Sequence, residues 1–401
     1  MVPYRPMTSP IVDRKRLCIL SALLVVTGLF AACSGSSSSS LTSVSDGFVA
    51  TTTPAATLPS TTVFPLADHT VGRESCAAPV EPLSLTPATP PINLGEIDAT
   101  WYPNVAYGAA PKQLLDIFVP ASAEPTPLAV FIHGGGFTGG DKDAAYSDSR
   151  QSTLRTLLQA NVAVATINYS LLTSNPIDPD GVIRPLTDSA RALQFVRHHA
   201  VDFNIDPIRV AVWGSSAGAG TSLWLGTQDD LADPHSTDPV LCHSTRVVAA
   251  GALATQATYN IPRWEEVLFD LIDEFVPAVV PSHDLEEVVV ALGRVNYALS
   301  FTGMESFDEL ETPEAKRYLD NVDMLGLMDA DDAPIFVRNR AVEAGNFVGF
   351  ILHHPLHARA VRERGDEVGL EVVAYYATEA EVYEDPSGET LVEFLIRHLL
   401  K

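Results

Sequence analysis

From Gly95 onward the chain alternates between short apolar runs and segments of helical periodicity, and this alternation limits the fold more than any other feature. Leu114–Val119 (closed by Pro120), Leu128–Ile132, Val162–Ile167 and Val210–Trp213 have the length and content of buried strands. Leu186, Ala190, Leu193, Val196 and Ala200 recur at spacings of three and four, which places them on one face of a helix. Ile335–Val337 and Leu370–Tyr376 read as two further strands, and Leu391, Phe394, Leu395 and Leu399 as the stripe of a closing helix. Strands separated by helices pair in parallel, and the helices cover both faces of the sheet. The expectation is therefore an α/β fold with a mostly parallel central sheet and helices on both faces. Residues 258–330 interrupt the alternation. They are acid-rich and helical in character, as in the amphipathic run Trp264-Glu-Glu-Val-Leu-Phe-Asp-Leu-Ile272, and are expected to form a helical cap or an ordinary helical insertion.

The N-terminus reads as an address. Arg14, Lys15 and Arg16 precede an apolar run, Leu17–Phe30, that ends in Ala31-Ala32-Cys33. A basic cluster, a short apolar stretch and small residues at its end make a secretory signal, and about 20 apolar residues are needed to span a bilayer. Phe30-Ala-Ala-Cys33 resembles a bacterial lipobox, which implies lipidation at Cys33, removal of residues 1–32 and an exported, membrane-anchored lipoprotein facing the periplasm or the cell exterior. Residues 33–94, rich in Ser, Thr and Pro, are expected to be a tether and extended lead-in, with the folded domain over 95–401. Of the four cysteines, Cys76 and Cys242 would remain as thiols, either paired in an oxidising compartment or independent.

Charge excludes one broad class of partner. The chain has 25 Lys+Arg against 50 Asp+Glu, a net −25, and losing residues 1–32 would make it more acidic still. Such a surface repels phosphate backbones, so no nucleic-acid partner is expected.

Two glycine-rich strings carry the chemistry. Gly214-Ser-Ser-Ala-Gly218 follows the strand Val210–Trp213 and precedes a helix-compatible run, Thr221–Leu225. This is a G-x-S-x-G elbow in its strand–turn–helix context, presenting Ser216 above a sheet at a helix N-terminus. His133-Gly-Gly-Gly-Phe137 follows the strand Leu128–Ile132, and its glycines leave backbone N–H groups free to face a ligand oxygen. His133 is read as holding this loop rather than as catalytic. Together the strings suit acyl transfer, with Ser216 as nucleophile and the N–H groups of Gly135, Gly136 and Ala217 as an oxyanion hole.

At these residues the chain resembles the α/β-hydrolase family, in its esterase and lipase group with an H-G-G-G loop. Tyr107-Gly108 with Leu115–Pro120, Ile167-Asn-Tyr-Ser-Leu171, Asp188 with Arg191 and Ala192, and Asp206-Pro-Ile-Arg-Val210 extend the likeness over about residues 95–401. The resemblance implies an α/β-hydrolase fold, a small-molecule ester substrate and a triad in the chain order Ser, acid, His. Glu343 is the one carboxylate in the loop after Ile335–Val337, and is either the acid or a solvated charge. The loop after Leu370–Tyr376 has no histidine, and His398 falls in the rhythm of the last helix. His353 and His354, beside Pro355 at the mouth of a helix, are the replacements, and the sequence does not separate them. No further ligand completes a metal set, so neither metal nor other cofactor is expected. Three functions remain open: a serine hydrolase of carboxylic esters, a catalytically silent scaffold that binds a ligand or partner, or a peptidase, since amide and ester cleavage share this machinery.

Overall fold

Nine strands pair into one sheet in the order β1-β2-β4-β3-β5-β6-β7-β8-β9. They are β1 (Ala99–Ala106), β2 (Leu114–Pro120), β3 (Thr126–Ile132), β4 (Ala163–Ile167), β5 (Ile205–Ser215), β6 (Ala250–Leu253), β7 (Ile335–Asn339), β8 (Val372–Ala377) and β9 (Val382–Glu384). The six strands from β4 to β8 in that order are parallel, while β1, β2 and β9 run antiparallel to their neighbours. The computed structural model describes Cys76 and residues 80–271, 283–340, 347–378 and 381–401. The signal peptide, Cys33, most of the tether and Glu343 lie outside the described residues.

Alternate residues of each central strand feed two separate cores. Val130, Ile132 and Val212 face α2 (Ile183–His198) and α3 (Ala217–Thr227), whereas Ala129, Phe131, Ala211 and Trp213 face the opposite side with α1 (Gln151–Gln159). The helical stripe at Leu186, Ala190, Leu193 and Val196 is buried, as its spacing predicts. Packing begins before residue 95: Ala88 bridges to Trp101 and Ile92 is buried. Of the two states open to Cys76 and Cys242, the pair forms a disulfide.

The insertion between β6 and β7 is helical, with α4 (Leu285–Ala291), α5 (Val295–Thr302) and α6 (Pro313–Asn321). The run from Trp264 does not continue as one helix. Trp264–Val267 makes an α-turn, Leu268 leaves helical geometry at φ −133° and ψ −58°, and Phe269–Leu271 forms a 3₁₀ turn. Trp264, Val267, Leu268 and Phe269 are all buried, so side-chain packing rather than helical continuity sets this segment's path. After β7 come α7 (Phe347–Leu352) and α8 (Pro355–Val368), and the chain closes with α9 (Leu391–Leu399) against the α1 face.

Candidate active site

Ser216 stands between β5 and α3 with φ 55° and ψ −125°, backbone that a serine rarely adopts. The two flanking glycines make this turn possible. A Cβ on Gly218 would lie 2.1 Å from the Ile132 carbonyl oxygen, and one on Gly214 would lie 2.4 Å from the Gly218 backbone. The strand end behind the turn is anchored because the Ser216 N–H donates to the Leu253 carbonyl at 2.9 Å, and Arg150 donates to Ser215 Oγ at 3.0 Å.

The imidazole that reaches the serine belongs to His353: Ser216 Oγ and His353 Nε2 are 2.8 Å apart. His353 follows the last residue of α7, its N–H donating to the Gly349 carbonyl. Burial holds its ring below the ordinary histidine value, so it is neutral near pH 7. A neutral ring that accepts at Nε2 carries its proton on Nδ1. No carboxylate among the described residues pairs with His353.

His354 does not share this place. It is the N-cap of α8, its Nδ1 accepting the Leu356 N–H at 3.2 Å while Pro355 occupies the first helical position. Burial lowers its pKa to about 4. Adjacent residues at a helix junction leave the backbone in different directions, so one ring is drawn to the serine and the other into the cap. Of the two histidines that the sequence leaves equal, the structure brings only His353 to Ser216.

The loop after β3 folds over the elbow. Gly135 (φ 121°) and Gly136 (φ 59°) turn the chain there, and the Gly135 carbonyl accepts the N–H groups of Thr138 and Gly139. Among the described residues the N–H groups of Gly135, Gly136 and Ala217 have no acceptor. Gly136 and Ala217 line the cavity beside Ser216, whereas Gly135 shapes the turn behind it. His133 is buried, and burial lowers its pKa. Its Nδ1 lies 2.7 Å from the Gly134 carbonyl and its ring stacks on Tyr169.

Three tyrosines tie this frame down. Tyr169 donates to the His133 carbonyl at 2.8 Å, Tyr259 to that of Ala217 at 2.7 Å and Tyr297 to that of Gly136 at 3.0 Å. Tyr169 is within the quoted string Ile167–Leu171, but no sequence pattern signals the long-range bonds of Tyr259 and Tyr297.

A cavity of about 240 Å³ opens beside Ser216. The insertion supplies much of its wall, including Trp264, Val288 and Phe301. Polar groups are few, chiefly Gln256, Tyr297 and Arg294. Among the described residues no three His, Cys, Asp or Glu side chains converge in a way that could hold a metal ion.

A mostly parallel sheet with an antiparallel second strand, a serine elbow after its fifth strand and a glycine loop beside it make up an α/β-hydrolase fold, and this chain has that fold. A family model described as BD-FAE, an esterase family of that fold, matches residues 115–246. Carboxylesterase NlhH of Mycobacterium tuberculosis is 25% identical over 250 residues, 60% of this chain and 72% of that one. Gut esterase 1 of Caenorhabditis elegans is 30% identical over 138 residues (33% of this chain, 24% of it), and chlorogenic acid esterase of Aspergillus niger is 31% identical over 106 residues (26% of this chain, 20% of it). The chain thus spans only a fifth to a quarter of the length of these two relatives. Among solved structures, a truncated carbohydrate esterase from gut microbiota superposes with TM-score 0.52 at 16% identity, covering 80% of this chain and 99% of that one, a likeness of fold.

Proposed function

We propose that the protein is a carboxylic ester hydrolase that works through an acyl-serine. The observation that carries the reading is the 2.8 Å contact between Ser216 Oγ and His353 Nε2 beneath an apolar cavity. His353 takes the hydroxyl proton as Ser216 Oγ bonds to the ester carbonyl carbon. The oxyanion that forms is held by the N–H groups of Gly136 and Ala217, with Gly135 setting the loop, and by the N-terminal end of α3. On collapse the C–O bond to the alcohol breaks and His353 returns the proton to the leaving oxygen. Water, deprotonated by the same ring, then frees the acid and restores Ser216. Glu343, ten residues before His353, is proposed as the carboxylate that accepts a hydrogen bond from Nδ1–H and orients the ring.

The apolar wall favours an uncharged acyl group. The esterase relatives support the same reaction class. The loop after β8 has no histidine, but His353 at the end of α7 lies within hydrogen-bond reach of Ser216, which favours a hydrolase over a silent scaffold. Hydrolysis of p-nitrophenyl butyrate tests the reading: Ser216→Ala is expected to lower kcat by at least about a thousandfold. Equal rates in variant and wild type would refute it.

We further propose export and lipid anchoring at Cys33, supported by the basic cluster, apolar run and lipobox-like string. Incorporation of labelled palmitate that is lost in Cys33→Ala is the expected result; labelling that persists in Cys33→Ala, or none in the wild type, would exclude it.

A further inference from the structure

We infer that Asn339 is the positioning residue that aims His353 at Ser216, an inference that rests on the serine–histidine reading above. The end of a helix leaves carbonyls without intrahelical partners. Across the α7–α8 junction four consecutive carbonyls, from Ile351 to His354, each face a buried side-chain donor, and that of His354 also accepts the His357 N–H at 3.1 Å. The Ile351 carbonyl takes His357 Nε2–H at 3.0 Å, and the Leu352 carbonyl takes Gln256 Nε2–H at 2.6 Å. The Asn339 amide nitrogen reaches both the His354 carbonyl at 3.1 Å and the His353 carbonyl at 3.4 Å.

Asn339 connects the backbone of His353 itself to the chain behind the serine. It ends β7 and is fully buried. Its Oδ1 accepts the Thr255 N–H at 2.9 Å and its Nδ2 donates to the Thr255 carbonyl at 2.9 Å, so Thr255 is gripped on both sides. Thr255 is two residues beyond Leu253, whose carbonyl holds the Ser216 N–H. A single primary amide therefore spans the segment that backs the nucleophile and the turn that carries the base. The orientation of that amide follows from its neighbours, which are carbonyls around Nδ2 and an N–H at Oδ1. An aspartate here would set a carboxylate oxygen against the same carbonyls, so the near-isosteric change removes the donor that the turn needs.

Misplacing a reacting group by about 1 Å costs on the order of a hundredfold in rate. The test compares kcat and KM for p-nitrophenyl butyrate in wild type, Asn339→Ala, Asn339→Asp, His353→Ala and the Asn339→Ala/His353→Ala double variant, with thermal melts alongside. Asn339→Ala is expected to lower kcat about a hundredfold with KM within about twofold, and Asn339→Asp not to restore it. In the His353→Ala background, Asn339→Ala is expected to leave the residual rate unchanged, because its effect passes through the ring already removed. Wild-type kcat in folded Asn339→Ala or Asn339→Asp, or the same fold-loss with and without His353, would overturn the inference. Should Asn339→Ala not fold, Asn339→Ser is read in the same cycle against the same outcomes. A wild-type rate in His353→Ala would instead refute the serine–histidine reading, so the two failures are distinguishable.

Discussion

Ser216, His353 and His354 differ in what their backbone does, and that difference predicts what each substitution costs. A serine in sparsely populated backbone stores about 1–3 kcal/mol, which the contacts around the elbow must offset. Removing a general base typically costs a factor of about 10²–10⁴, so His353→Ala is expected to lower kcat by that much without lowering the melting temperature. His354→Ala should do the reverse, since losing a helix N-cap costs about 1 kcal/mol and touches no reacting atom. Paired activity and melting curves check both. The pH profile belongs to the same ring. Burial depresses the His353 pKa from its ordinary 6.5, and the base must be neutral, so the acid limb of kcat/KM should have its midpoint below pH 6.5. A midpoint at or above 6.5 would contradict a buried, neutral base. The elbow and glycine loop were legible in sequence because they need small residues at fixed spacing. The two histidines were not separable, because adjacency in sequence says nothing about which ring a helix cap claims.

Among the elements, those with strong periodicity were legible and those built from exceptions were not. The strands at Leu128–Ile132 and Val162–Ile167 and the helix through Leu186–Val196 match their patterns to within a few residues. β6 is only Ala-Gly-Ala-Leu, small because Gly251 lies against Leu391: a Cβ there would meet Leu391 Cδ1 at 2.4 Å. β1 carries Pro103 and Asn104 at a register shift, which an edge strand tolerates and a propensity reading rejects. The α7–α8 junction makes the element-scale prediction. Burial lowers His357 to about 3 and His354 to about 4, and His357 Nδ1 accepts the Ala257 N–H, a bond that protonation abolishes. Folded values below the unfolded one mean that the unfolded chain binds more protons at acid pH. The stability these rings contribute is complete above pH 6.5 and is lost as pH falls toward about 4 and then about 3. The melting temperature should therefore fall from pH 6.5 to pH 4, and less steeply in His357→Gln, which does not titrate. An equal slope in that variant would show that the acid sensitivity lies elsewhere.

The folded body as a whole combines an acidic surface, two cores divided by one sheet and a covalent tie. Cys76 and Cys242 are 166 residues apart, and their bond fastens the lead-in to the turn that packs on α2. A disulfide typically stabilises by about 2–4 kcal/mol. Cys242→Ser should lower the melting temperature markedly while leaving kcat near wild type, because the turn Pro239–Cys242 lends no residue to the cavity. A lost kcat with unchanged melting would reverse that assignment. Composition showed the acidity, yet it could not show that Trp264, Val288 and Phe301 of the insertion line the cavity beside Ser216, since that depends on where the strand ends converge. The central claim is that His353, arriving from the end of α7, activates Ser216. Its most direct test is the rate at which a fluorophosphonate labels the protein, with the modified residue located by peptide mass. Rapid labelling at Ser216 is expected in wild type and His354→Ala, and labelling slowed at least a hundredfold in His353→Ala. Labelling of His353→Ala at the wild-type rate, or modification at a residue other than Ser216, would contradict it.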